Sequence, residues 1–267
     1  MFALGLITST LYLLCGAWLI YNLFNKKVIQ NVPHKLILAC GITAAVLHAL
    51  VLFSDTFTPA GINPSIFNSF SMVSWLTVIL YLLAQLRKPL ETLGVFIYPI
   101  ASAAVFLQLF WPQSLRLSEL SFELELHILL SLLAYGLLAV AAAQSILLAV
   151  QTYFLKSRKP GGFIRSLPPL QSMETLMFQV IYGGFILLTL ALLSGFIFLD
   201  NIFAQQLVHK TVLSMIAWVL FAILLWGRWH YGWRGKKAVK FTIAGFVFLM
   251  LAYFGSKTVL EIILQKV

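Results

Sequence analysis

Five histidines are the residues with which this chain could do chemistry, and His48 and His127 fall where that chemistry is most constrained. Imidazole is at once a proton carrier, a hydrogen-bonding group and a metal ligand. His48 stands inside the apolar run 35–53, roughly 20 Å from its leading end at about 1.5 Å per residue. An ionisable group at that depth is costly unless it is partnered. His127 opens the apolar stretch HILLSLLAYGLLAVAAAQSILLAVQTYF, residues 127–154. His127, Ser131 and Tyr135 recur at every fourth position, so on a helix they form one polar stripe. Such a stripe should face other helices and not lipid. His34 and His230 lie among basic loop residues, where solvation or headgroup contact accounts for them. His209, beside Lys210, reads as a surface residue with a place open to it in an outer site.

A membrane imidazole has three common uses: a bond to a neighbouring helix, a proton relay, or ligation of a metal or haem iron. A relay wants carboxylates at depth, and none stands mid-span; Glu261, near the end of the last span, is the nearest case. A zinc centre needs three or four converging ligands, and no such cluster is written here. Haem needs one or two histidines and a large apolar pocket. The 22 Phe, 7 Trp and 9 Tyr can line one, although aromatic residues also form ordinary interfacial belts. No nucleophile elbow, P-loop or dinucleotide fingerprint occurs. No catalytic residue is therefore assigned, and neither a hydrolase nor an ATP-driven pump has residues to stand on.

The elements that must position these side chains are membrane helices. Hydrophobic residues make up 61% of the chain and charged ones 10%, against roughly 45–50% and about 25% in soluble domains. The formal charge of +10 does not point to nucleic acid, because the basic residues come in short runs between apolar segments. That spacing is a topology signal and a lipid contact. Cys15 and Cys40 form no CxxC and read as small buried hydrophobes. The N-terminal run lacks a basic leader and a cleavage signal, so it reads as a retained span.

Eight apolar spans are predicted, at about 3–24, 35–53, 69–86, 92–111, 127–154, 176–199, 211–227 and 241–263. They form one all-α polytopic bundle covering residues 1–267. Fourteen of the 18 Lys and Arg fall in the loops after the first, third, fifth and seventh spans. The positive-inside rule then puts those loops in the cytoplasm and both termini on the outer, periplasmic side. His127 lies at the outer end of its helix by the same rule, with Glu119, Glu123 and Glu125 before it. Met173-Glu174-Thr175, after Pro168-Pro169, reads as the start of the sixth helix with Glu174 in its first turn. Pro99 should kink the fourth span. Gly183-Gly184, Ser194-Gly195, Gly245, Gly255 and Ala141-Ala142-Ala143 mark surfaces for close helix approach.

Four pieces stand in a familiar order: AAVLHALVLFSDTFTPAGINPSIFNSFSMVSW, HILLSLLAYGLLAVAAAQSI, LPPLQSMETLMFQVIYGGFILLTLALLSGFIF and WVLFAILLWGRWHYGWRGKKA. With the Gly232-Trp233-Arg234-Gly235 tetrad, the chain resembles the cytochrome c assembly membrane proteins, the CcsA, ResC and HemX group, and within it a bacterial inner-membrane branch. The resemblance covers nearly everything after the first span. It implies an inner membrane protein of cytochrome c maturation, not strictly an enzyme, that handles haem at the outer face beside other maturation proteins. His48 matches the family's first transmembrane haem-ligating histidine and His127 its first outer-face histidine. Ser131 and Tyr135 are the accompanying haem contacts expected on the fifth span. The family's second outer histidine falls near Trp226, its second transmembrane one falls within YFGSKTVLEIIL, and the tryptophan-rich haem loop is replaced by FIFLDNIFAQQLVHKTVLSMIAW. A scaffold or regulator that has lost haem and partners another membrane protein is the rival expectation. A solute permease is disfavoured by the lack of mid-span carboxylates and broken-helix pairs.

Overall fold

The computed structural model describes residues 1–24, 34–58, 61–62, 65–86, 91–111, 122–157, 167–198, 205–255 and 258. Eight α-helices carry these residues: α1 Phe2–Phe24, α2 His34–Thr56, α3 Ile66–Gln85, α4 Gly94–Phe110, α5 Phe122–Lys156, α6 Leu170–Phe198, α7 Gln205–Tyr231 and α8 Lys236–Met250. Seven helices are long and apolar enough to cross a membrane, and α4 is a shorter apolar helix. A 3-10 turn, Glu91–Leu93, leads into α4. Strands β1 Phe57–Thr58 and β2 Gly61–Ile62 make one small antiparallel pair, Phe57 opposite Ile62 and Thr58 opposite Gly61. The all-α, multi-pass expectation therefore holds.

The boundaries differ from the predicted spans in informative ways. Helix α5 begins ahead of His127, with Glu123 and Glu125 in its first turn and Lys156 in its last. Both placements complement the helix dipole. At 35 residues it is about 52 Å long, against a hydrocarbon layer of about 30 Å. Helix α6 starts at Leu170, not at Met173, because the Pro169 carbonyl already accepts from the N–H groups of Ser172 and Met173. Glu174 is accordingly past the first turn, and it is buried. The last helix leaves α geometry at Leu251 and continues as a π-helical segment to Gly255. Glu261, Glu119 and several predicted basic loop residues, Lys26, Lys27, Arg87, Lys88, Arg158, Lys159 and Arg165, lie outside the described residues.

The chain divides into two compact units, one over residues 1–118 and 153–168, the other over 119–152 and 169–267. In the first, α1 packs on α2 and α4, and α3 packs on the same two, closing a ring of four helices. Small residues allow the tightest approach, as expected where lipid supplies no hydrophobic drive between helices. A Cβ at Gly16 would sit 3.1 Å from the Pro99 ring, so Pro99 is seated against α1 within an unbroken α4. Ser9 and Ser102 bridge the same two helices, hydroxyl to hydroxyl at 2.8 Å. Cys15 and Cys40 are free, one buried and one half-buried.

In the second unit, α6 packs on α7, and α7 on α8 and the π segment. Gly184 lies under Leu138 and Gly245 under Phe221, at distances that leave no room for a Cβ. Gly255 meets only Leu251 of its own turn, so it does not serve the helix approach predicted for it. Ala141, Ala142 and Ala143 are all buried.

Candidate functional site

Each histidine singled out from the sequence is held by hydroxyl groups, but in opposite ways. His48 is fully buried in the first unit. Its Nε2 lies 2.8 Å from Ser71 Oγ of α3 and its Nδ1 3.3 Å from the Tyr12 hydroxyl of α1. A neutral imidazole has one donor and one acceptor nitrogen, and here both are taken. The Tyr12 ring stands edge-on to the imidazole at 5.7 Å and stacks on Tyr98 at 5.8 Å. Tyr98 in turn meets Tyr81 edge-on at 5.6 Å. Gly41 and Gly94 make space for Tyr98, since a Cβ on either would run into its ring or hydroxyl. The Trp75 indole donates to the Ala45 carbonyl at 2.8 Å, tying α3 to α2 one turn from His48.

His127 belongs to the second unit and is half-buried. Its Nδ1 lies 3.0 Å from Ser194 Oγ on α6. Ser194 Oγ also lies 2.8 Å from the Ala191 carbonyl, and the same carbonyl is a hydrogen-bond partner of the imidazole. When the hydroxyl proton goes to Ala191, Ser194 accepts from His127 Nδ1–H and the lone pair of the neutral ring is on Nε2. A ligating histidine is oriented in this way, by a partner on one of its nitrogens.

The register that delivers Ser194 is set farther along the two helices. Leu138 of α5 covers Gly184 of α6, and the Gln144 amide donates to the Met173 carbonyl at 3.2 Å. His127 to Ser194 is the next rung of the same antiparallel pair. On the other side of α6, the Trp218 indole of α7 donates to Thr189 Oγ1 at 2.9 Å and stacks on Phe185 at 5.5 Å. This fixes α7 so that exposed His209 enters at the end of the unit where His127 lies.

The other residues of the stripe divide. Ser131 is half-buried and makes no hydrogen bond among the described residues. Tyr135 is buried, and its hydroxyl donates to the Leu249 carbonyl at 2.7 Å. Tyr253 and Phe254 of the π segment close edge-on around its ring at 6.0 and 6.4 Å. Its donor is thus committed to holding the last helix. Trp226 is at the basic end of α7, 5.0 Å from the His230 ring, and so at the far end of that helix from His209.

These geometries allow a test of fit for haem. His127 fits an axial ligand, as a half-buried imidazole held through Nδ1 by Ser194. His48 as packed does not fit, because neither nitrogen is free and no edge of the ring is open. Among the described residues no group of three or more His, Cys, Asp or Glu could hold a metal ion. The sequence reading missed Tyr12, Ser71 and Ser194, the last having been counted only as a small packing residue. Its signal was its place in α6 opposite His127 once the two spans run antiparallel.

The family described as cytochrome C assembly protein matches residues 36–264. The chain is 35% identical over 232 residues to the inner membrane protein YpjD of Escherichia coli (strain K12), covering 86% of this chain and 88% of that protein. It is 25% identical over 286 aligned positions to the cytochrome c biogenesis protein CcsA of Prochlorococcus marinus (strain MIT 9515), covering 92% and 89%. A 28.8 kDa protein of Azospirillum brasilense is 30% identical over 143 residues, about half of each chain. No solved structure matches.

Proposed function

This chain belongs to the cytochrome c assembly protein family, as a multi-pass protein of the bacterial inner membrane, and from that premise we propose that it takes part in cytochrome c maturation by holding haem at the outer face. The observation that carries the reading is the half-buried imidazole of His127, oriented through Nδ1 by Ser194 of the neighbouring helix. Haem iron takes an imidazole nitrogen as an axial ligand. His127 supplies that nitrogen, Ser194 holds the ring, and half-buried Ser131 lines the same face of α5. Tyr135 acts at a distance by anchoring α8 through Leu249. His48 serves as a tie between α1, α2 and α3. The outer placement of His127 and of both termini follows from the positive-inside count.

The rival reading, a scaffold that has lost haem and partners another membrane protein, is favoured by one observation: His48 is saturated by Tyr12 and Ser71. Visible spectra of the full chain purified in detergent, oxidised and reduced, with haem supplied, separate the two. The haem reading requires a Soret band that is lost or shifted in His127→Ala and kept in His48→Ala and His209→Ala. Absence of any Soret band, or a band unchanged in His127→Ala, would sink it and favour the scaffold.

A further inference from the structure

The turn between α7 and α8 is built more firmly than a topology signal needs. Gly232 and Gly235 both have positive φ, 61° and 55°, a conformation that favours glycine. The Trp233 N–H donates to the Gly227 carbonyl at 3.1 Å, and Arg228 donates to the Trp233 carbonyl at 3.2 Å. Buried Glu174 accepts from the Gly235 N–H at 2.8 Å and lies 4.0 Å from the same guanidinium, which also stands 4.5 Å over the Phe178 ring. Glu174 and Arg228 thus neutralise each other inside the turn.

Outside it, four cations are left uncompensated. Arg234, Lys236, Lys237 and Lys240 are exposed, and among the described residues none has a carboxylate within ion-pair distance. Lys237 rests over the Trp233 ring at 5.3 Å, which fixes one of these charges in place. Beside them Trp226, Trp229 and Tyr231 are 52%, 79% and 66% exposed and cluster around His230. Amphipathic aromatic rings of this kind settle at the headgroup level of a bilayer. A cluster of cations on a glycine-shaped turn at that depth meets phosphate groups, to which basic residues near a membrane are drawn.

We propose that the α7–α8 turn is a binding platform for an anionic phospholipid headgroup, with Arg234, Lys236 and Lys240 contacting the phosphate and Trp226, Trp229 and Tyr231 seating against the acyl boundary. This assignment is independent of haem. A free phosphate ion would satisfy the cations but leave the exposed rings without their apolar partner, so the lipid is the occupant.

The test is native mass spectrometry of the full chain released from detergent after exchange with phosphatidylglycerol or phosphatidylcholine at equal mole fraction. The wild-type chain should retain phosphatidylglycerol preferentially. In R234Q/K236Q that retention should fall by roughly thirtyfold, from the loss of two charges at an anionic surface. The control K35Q/K156Q, which removes two exposed lysines elsewhere, should retain lipid as the wild type does. Equal retention of the two lipids, equal loss in the control, or displacement of the lipid by inorganic phosphate would each overturn the proposal.

Discussion

The Tyr135 hydroxyl meets the Leu249 carbonyl at 2.7 Å, one residue before the last helix ends its α geometry at Met250 and passes into the π segment. A π turn shifts backbone pairing from the fourth to the fifth residue, so carbonyls near the junction are poorly served. In a membrane interior such groups must be satisfied by protein. Tyr135 brings a donor across from α5. Tyr135→Phe should lower stability by about 1 kcal/mol, read as earlier thermal aggregation in detergent. Hydrogen exchange at 251–255 should rise, while helices α1–α4 stay protected.

Ser194 holds the His127 ring through Nδ1. Ser194→Ala removes that partner and frees the ring to turn. Loss of an outer-shell partner typically costs 10–100-fold in metal affinity. Haem affinity followed by titration of the Soret band should fall by about that factor, with the fold unaffected. Ser194→Thr keeps the hydroxyl and should restore most of the binding. Equal loss in both variants would mean that bulk, not the hydrogen bond, matters at this position.

His48 is a structural tie, and its removal is a stability event. His48→Ala leaves Tyr12 and Ser71 without their partner in a closed core, and an unsatisfied buried polar group costs about 1–3 kcal/mol. We expect a large fall in thermal stability with no change in the position of the Soret band. A double-mutant cycle with Tyr12→Phe should show non-additivity, since the two residues share one bond.

Gly184 sets the spacing of α5 and α6. A Cβ there would come 2.7 Å from Leu138 Cδ2. Gly184→Val should therefore destabilise the unit by about 1–3 kcal/mol through overpacking, and it should weaken haem binding by moving Ser194 off His127. Leu138→Ala in the same chain should recover part of both losses. Recovery of neither would place the damage outside this contact.

Glu174 pairs with a backbone N–H and a guanidinium at once. Glu174→Gln keeps an acceptor for Gly235 and loses only the charge, whereas Glu174→Ala loses both. Proteolysis near residues 232–235 should therefore be faster in Glu174→Ala than in Glu174→Gln, and slowest in the wild type.

The number, order and rough extent of the helices are legible in the amino-acid sequence. Hydropathy is a property of each segment alone, so eight apolar runs could be read without knowing what any of them touches. The same holds for the polar stripe of His127, Ser131 and Tyr135, which needs only the helical repeat. Boundaries slipped where a neighbour sets them. Pro169 starts α6 early through its carbonyl, and Glu174, read as a first-turn charge, is taken up by Gly235 from a segment far along the chain. The partners come from the packing of one helix on another: Ser194 for His127, Tyr12 and Ser71 for His48, Leu249 for Tyr135. A helix that is apolar all round has no wet side to fix its rotation. Its rotation follows from where glycines admit a neighbour and where hydroxyl groups find acceptors, and those relations exist only between helices.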